Sequence, residues 1–384
     1  MSHDLSRRDF TRQAALGAVA ASFSPRFPGL PDAAVREAWP GYDRAYVLDM
    51  LATAGPFNVP DMFTNPLTPA MVENARRSGI TAVNSTISGF GNSPEAIHEQ
   101  TIDNIAAWHH ELVAHPDVFV QVRSIADIRR AKAEKKVGVI FGFQDTTPYW
   151  DRIGRIETFH RLGVRIVQLT YNGSNLVGDG CLVPEDRGLK PYGREVLAQL
   201  NAKRTLVDLS HVGWETTRQV IDASNAPVAA THSGSAAVNN VPRNKPDDIL
   251  RKLAAKGGVV GVYMMPFLTP RGQPTAEDFM RHLAACINTC GEDHVGIGTD
   301  LSITPLDLTP EFRAVHAGFV RQRRAAGISA PGEAEDVFNY VPDFNNPRRM
   351  DLVADAMARA GHSSARIEKV LGANWMRLLT DVWG

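Results

Sequence analysis

The chain of 384 residues has little cysteine, no excess of either charge and no long apolar run, and each shortage excludes a class of protein. Three cysteines, Cys181, Cys286 and Cys290, cannot build a disulfide framework or a four-cysteine zinc site. Lys and Arg total 41 against 42 Asp and Glu, so the net charge is -1 and no basic field exists to neutralise nucleic-acid phosphates. No uninterrupted apolar stretch approaches the ~20 residues that span a bilayer. Gly (31) and Pro (24) are too few and too dispersed for a low-complexity chain, and no internal repeat is evident. What is present is ordinary for a folded domain: 43% hydrophobic and 22% charged residues, which argues against disorder. The length suits one domain of roughly 250–350 residues, a size that α/β barrels reach.

Ser6-Arg7-Arg8-Asp9-Phe10-Thr11-Arg12 precedes a mildly apolar, Ala-rich stretch from Gln13 to Phe23. An Arg pair followed by a short, weak apolar segment resembles a twin-arginine export signal, and Ala18-Val19-Ala20 offers a small-x-small cleavage site. The expected location is periplasmic. Substrates of that route are exported folded, often with a cofactor inserted, which favours a metal or other prosthetic group. Residues 1–25 are therefore set apart from a single domain over 26–384.

Eight short apolar, β-branched runs recur: Ala45–Leu51, Ile80–Ile87, Val137–Phe143, Val164–Tyr171, Thr205–His211, Pro227–His232, Gly258–Met264 and His294–Asp300. Runs apolar at nearly every position are expected of parallel strands buried on both faces. Amphipathic stretches lie between them, clearest at Ser124–Lys136, Arg152–Leu162, Gly193–Lys203, Trp214–Ser224, Asp247–Lys256 and Thr275–Cys290. Eight such alternations predict an α/β fold, a (β/α)8 TIM barrel. A doubly wound sheet is the runner-up, but no Gly-rich dinucleotide fingerprint follows the first run. Residues 301–347 read as an insertion after the eighth strand, with a helix around Pro310–Ala326. Its basic cluster, Arg321-Gln322-Arg323-Arg324, is expected to be a solvated helix face. Helices at Met350–Ala360, Ser363–Val370 and Asn374–Val382 close the chain.

A barrel enzyme builds its site where the strands end. Those ends carry Gln144-Asp145, Thr170-Tyr171-Asn172, Asp208-Leu209-Ser210-His211, Thr231-His232-Ser233 and Gly298-Thr299-Asp300. His211 and His232 on neighbouring strands, with Asp300 on the same rim, are a candidate divalent-metal site. Neutral imidazole suits zinc, and a carboxylate can ligate or act as a base. His98, His109, His110, His115 and His160 fall on predicted helices and are read as ordinary. Cys286 and Cys290, four apart on one helix face, are read as packing residues, and Cys181 has no visible partner.

Several segments resemble the membrane dipeptidase (renal dipeptidase, peptidase M19) family. Asp208-Leu209-Ser210-His211 resembles its D-x-S-H strand end, and Pro227–Ser233 its P-V-x-x-S-H-S strand. Arg243-Asn244-Lys245-Pro246-Asp247-Asp248-Ile249-Leu250 follows its R-N-x-P-D-D-x-L motif. Leu162–Asn172 is similar to its L-G-x-R-x-x-x-L-T-H-N segment, His294–Asp300 to its H-V-x-x-G-x-D strand, and Ile367–Asn374 to its closing I-x-K-x-x-G-x-N element. The resemblance runs from about residue 45 to 384. It implies a metal-dependent barrel that hydrolyses dipeptides, commonly as a dimer. It further implies His211 and His232 at one metal position, Asp300 as the proton-handling residue, and Arg243, Tyr171 and Asn172 as substrate contacts.

The departures from that pattern are concentrated at metal ligands. Leu51 and Thr53 stand where the family's first strand has the H-x-D ligands, and Gln144 stands for its bridging Glu. Tyr171 stands for a substrate-contacting His, and Leu301-Ser302-Ile303 for F-D-G after Asp300. A neutral amide binds zinc weakly and cannot bridge two dications as a carboxylate does. The expectation is therefore one zinc ion on His211 and His232, with Gln144 and Asp145 adjacent and Gln144, Asp145 or Asp300 as third ligand. The second metal site is lost. Asp49 is expected to pack near the barrel floor. The expected function is amide hydrolysis of dipeptides or similar small carboxylated substrates. The alternatives are a non-catalytic relative that binds a small ligand, and a hydrolase of another amide, an ester or a lactone.

Overall fold

A parallel strand with no solvent-facing side needs apolar neighbours on both faces, and the eight runs supply them by closing into a ring. The computed structural model describes residues 39–56, 66–90, 93–327 and 329–384; the export segment expected at 1–25 lies outside the described residues. Strands β1 (Leu48–Asp49), β2 (Ala82–Thr86), β3 (Val137–Phe143), β4 (Val164–Gln168), β5 (Leu206–Asp208), β6 (Ala229–Ser233), β7 (Val259–Val262) and β8 (Val295–Ile297) lie side by side in chain order, all parallel. The ring closes where Met50 N donates to Ile297 O at 3.1 Å, and the short parallel pair Ala52–Thr53 and Leu301–Ser302 extends that seam. This is the expected (β/α)8 barrel, and its circular strand order excludes the doubly wound sheet.

Side-chain alternation along the strands produces two core clusters. One set, Leu48, Ala82, Ile140, Ile166, Leu206, Ala229 and Val259, fills one end of the barrel interior together with Trp375, Leu378, Leu379, Val382 and Trp383 of the last helix, Asn374–Trp383. The alternate set, including Val83, Val139, Val167, Val207, Ala230 and Val260, packs against the surrounding helices. Two residues further along the inward-facing positions the barrel turns polar, at Asn84, Gln168, Asp208 and Thr231. Gly261 and Gly298 are required at this level, because a Cβ on either would overlap the Thr231 carbonyl oxygen.

An element not read from the sequence is the strand Phe119–Val122. It pairs with Val137–Ile140 of β3, and β4 takes over that edge from Phe141 onward. The helix Pro69–Ser78 is a further addition, whereas Pro94–Ala114 is the helix expected to carry His98, His109 and His110. The helix after the eighth strand runs Pro310–Ala325, with the Thr309 hydroxyl accepting from Phe312 N as its cap. Its basic cluster divides: Arg321 and Arg324 are solvated, as expected, whereas the Arg323 side chain is only 12% exposed and turns inward. Among the described residues no helix is long and apolar enough to cross a membrane.

Asp49 is not a floor residue. Its carboxylate accepts from Thr299 N at 2.7 Å, Thr299 Oγ1 at 2.6 Å and Leu51 N at 3.3 Å, and so fastens β1 to the residue that precedes Asp300. Removing a buried acceptor strands its donors, at a cost of about 1–3 kcal/mol. Asp49→Ala is accordingly expected to destabilise the domain by about 2–3 kcal/mol. Urea unfolding checks this, as a lower midpoint with an unchanged slope.

Candidate metal and catalytic site

The rim is built on one buried carboxylate. Asp208, at the end of β5, accepts from Ser210 N (3.0 Å), Ser210 Oγ (2.6 Å), Thr231 N (2.9 Å) and Thr231 Oγ1 (2.6 Å). Burial raises its pKa, and these hydrogen bonds oppose the rise. The bonds turn the chain sharply after Asp208 and tie β5 to β6, which sets His211 beside His232. The two ring centroids lie 5.1 Å apart with the rings inclined at 58°.

Both imidazoles have their tautomer fixed from behind. The single Thr231 hydroxyl proton goes to Asp208 Oδ2, so Thr231 Oγ1 accepts from His232 Nδ1–H at 2.9 Å. Asn172 Oδ1 accepts from His211 Nδ1–H at 2.6 Å and from the Cys181 thiol at 3.4 Å. Each Nδ1 therefore carries the proton and each Nε2 presents its lone pair, the arrangement that second-shell partners give to metal-binding histidines. His211 Nε2 is buried without a hydrogen-bond partner among the described residues, and His232 Nε2 has only the Gln144 amide at 3.4 Å. Burial, and next the Arg243 charge, push both pKa values well below the ordinary histidine value, so both rings are neutral at physiological pH.

The remaining sequence candidates take varied places. Asp300 follows β8 with φ +63°, its N–H donating to Leu51 O at 2.8 Å. Its buried carboxyl is pushed up to about 7 by desolvation, with Arg243 opposing and Asp49 reinforcing. Tyr171 stacks on His211 with centroids 4.1 Å apart and planes 23° from parallel. Arg243 is buried; it donates to Ser210 O at 2.7 Å and, at 3.5 Å, to His232 O, with its Nε unpartnered among the described residues. The Tyr263 and Phe267 rings flank its guanidinium at 5.5 and 5.8 Å. Asn172 is a buried support for His211.

Asp145 does not join the imidazoles. Its carboxylate accepts from Thr147 N (2.6 Å), the Thr147 hydroxyl, Tyr171 N (2.9 Å) and Asn175 Nδ2 (3.2 Å), which makes it the anchor of the loop that carries Tyr171. Cys181 does have a partner, the Asn172 amide.

Arg323 and Glu333, both on the segment after β8, were missed. Arg323 lies over the Tyr171 ring at 6.0 Å, and its charge acts on both His211 and Asp300. A signal for it exists in the sequence. His316, Val320 and Arg323 are spaced four and three apart, so they share one helix face, and the first two are buried.

The chemistry of the donor set suits a divalent ion held by imidazole. Two neutral imidazoles lie with their centroids 5.1 Å apart and the Gln144 amide beside His232 Nε2; among the described residues no three His, Cys, Asp or Glu side chains form a group that could hold an ion. A second ion would have no ligand on the first strand. Leu51 supplies none, and the Thr53 hydroxyl accepts from Gly55 N at 3.2 Å.

Comparison with known proteins agrees with this architecture. The sequence pattern of membrane dipeptidases (peptidase family M19) matches residues 71–309. The dipeptidase tcpJ of Claviceps purpurea is 27% identical over 302 residues, covering 77% of this chain and 63% of its own, so the chain spans less than two thirds of that curated relative. An amidohydrolase of Pseudomonas aeruginosa is 32% identical, with a TM-score of 0.75 over 89% of this chain and 98% of its own. A metallopeptidase of Rhodobacter sphaeroides, solved with a phosphinate mimic of the dipeptide L-Ala-D-Ala, shares the fold at a TM-score of 0.70 and 19% identity, over 88% of this chain and 99% of its own.

Proposed function

The chain belongs to the membrane dipeptidase family, peptidase M19, and from that premise we propose that it is a metal-dependent hydrolase cleaving the amide bond of a dipeptide or a similarly small carboxylated substrate. The observation that supports this reading is the pair of neutral imidazoles, centroids 5.1 Å apart, each with Nδ1 occupied and its Nε2 lone pair left to a ligand. They would hold one ion, zinc by the preference of imidazole, with Gln144 beside it. When bound, the ion supplies Lewis acidity to the attacking water and to the scissile carbonyl.

The chain's own groups do the rest. Asp300, poised near neutrality, takes a proton from the attacking water as the new C–O bond forms. It returns that proton to the departing nitrogen as the C–N bond breaks. Arg243 contributes a fixed positive charge, and its unpartnered Nε–H leaves donor capacity for a substrate carboxylate. Asn172, Thr231 and Asp208 keep both imidazoles in one tautomer through the cycle. Export by the twin-arginine route and a homodimeric state complete the proposal; cell fractionation and sedimentation test them.

The experiment is a metal count on protein purified without added zinc, followed by a dipeptide panel. About one ion per chain with turnover supports the reading; neither would end it. The neutral side chains at positions 51, 53 and 144 favour a second reading, a barrel that binds a small carboxylated ligand without turnover. Ligand binding with no metal and no hydrolysis would select it. Gln144→Glu is expected to tighten the ion at least tenfold in chelator competition, a factor equal to about 1.4 kcal/mol. The count should stay at one, because Leu51 and Thr53 still provide no ligand, and a second ion would contradict the single-site reading.

A further inference from the structure

Arg323 is placed unlike a residue that merely solubilises a helix. Its Nε donates to Glu333 Oε2 and its Nη2 to Glu333 Oε1, each at 2.9 Å, and Ser329 Oγ donates to the same carboxylate at 3.0 Å. Both charged side chains are largely buried, at 12% and 9% exposure, while Arg321 and Arg324 reach solvent on the same helix. A buried ion pair is a weak source of stability, since desolvation offsets its Coulomb gain. What this pair does is fix a cation above Tyr171. Besides the ring contact, the guanidinium hydrogen-bonds the phenol oxygen. A phenol that accepts from a cation keeps its own O–H free and is a stronger donor for it. Tyr171 stacks on His211, one of the two imidazoles of the site, and its phenol lies within the field of Asp300.

We infer that Arg323 is a positioning residue, locked by Glu333, that aims the Tyr171 hydroxyl at the substrate carbonyl oxygen as that oxygen gains charge. This rests on the hydrolytic reading and adds to it a donor brought in by the segment after the eighth strand. In the step, water adds to the carbonyl carbon and its proton goes to Asp300. The carbonyl π pair moves onto the oxygen, which accepts a hydrogen bond from Tyr171 without taking its proton. The C–N bond then breaks and Asp300 protonates the nitrogen. With no ligands for a second ion at positions 51 and 53, this oxygen has fewer cations to meet, and a preorganised donor counts for more.

The test compares three variants: Arg323→Gln with Glu333→Gln, which leaves neither charge buried alone; Tyr171→Phe; and all three changes together. The probes are L-Ala-D-Ala as substrate and its phosphinate mimic as tetrahedral analogue. Tyr171→Phe should lower kcat about 100-fold and the paired variant about tenfold, with KM within about threefold. The combined variant should be no slower than Tyr171→Phe. Phosphinate affinity, read by calorimetry, should fall in parallel while D-alanine binding stays unchanged. Multiplying effects on kcat, a change confined to KM, or unaltered phosphinate affinity would each overturn the inference. Phosphinate binding needs no turnover. A wild-type protein that binds the mimic in an Arg323-dependent way yet cleaves nothing would refute the hydrolytic reading and leave the donor assignment standing.

Discussion

His211→Ala is expected to empty the metal site and stop turnover together. Among the described residues two imidazoles are the strong donors of the proposed site, and the neighbouring Gln144 amide carries no charge, so loss of one leaves a single strong donor. The count should fall from about one ion per chain to none, and kcat/KM on a dipeptide by about 10³-fold or more. The fold should survive. The truncation removes the 2.6 Å bond that Asn172 Oδ1 makes with His211 and leaves that oxygen the weaker Cys181 thiol, a loss of about 1 kcal/mol. A melting curve separates that cost from global collapse. His232→Ala should behave alike, with Thr231 Oγ1 as the group left without its donor. Dipeptidase activity that persists in the His211→Ala, His232→Ala double variant would remove the basis of the reading.

The sequence made the barrel legible because period and composition are local. Strands buried on both faces are apolar at nearly every position, and all eight barrel strands coincide with such runs. His211 and His232 were legible for the same reason, each lying within a few residues of a strand end. Asp145 misled because adjacency in sequence is not adjacency on a strand: it follows Gln144 directly but anchors the Tyr171 loop. Asp49 misled because its partner Thr299 is 250 residues away, and nothing in a short window reports such a contact. The support that Asn172 Oδ1 gives His211 was not legible, because the two residues are 39 apart in the chain.

The most specific-looking motifs turn out to be largely architectural. In Arg243-Asn244-Lys245, Asn244 accepts from the Tyr263 hydroxyl at 2.6 Å and Lys245 donates to Val212 O at 2.6 Å, while Asp247 and Asp248 occupy the first turn of the next helix. In the tail, a Cβ on Gly372 would overlap Tyr46 O, and Asn374 donates to Glu292 O and Val295 O at 2.7 Å each. Arg323 illustrates the opposite error. A charge run is usually solvated, yet helical spacing put one member of this run on the buried face with His316 and Val320.

Asp300→Asn is expected to slow the enzyme and stabilise it at the same time. The buried carboxyl is pushed up to about 7, chiefly by desolvation; Arg243 and Arg323 pull it down and Asp49 and Asp208 push it up. An unfolded Asp titrates near about 3.9. The folded chain therefore binds the extra proton between these values. The stability that Asp300 contributes is complete below about pH 4 and is lost as pH rises to about 7. Three pKa units correspond to about 4 kcal/mol, the most that ionising this group can withdraw at pH 8. Asparagine never ionises, so the variant escapes that loss and should melt at a higher temperature than wild type at pH 8, with the difference vanishing near pH 4. The backbone permits the change, since φ +63° is a conformation that Asn and Asp tolerate better than other side-chain-bearing residues. Catalysis runs the other way. Proton removal needs the ionised form, so wild-type kcat/KM should rise with pH through about 7, whereas Asp300→Asn should lose about 10²–10⁴ in kcat and show no such limb. A full-rate variant, or one that keeps the acid limb, would take proton transfer away from Asp300.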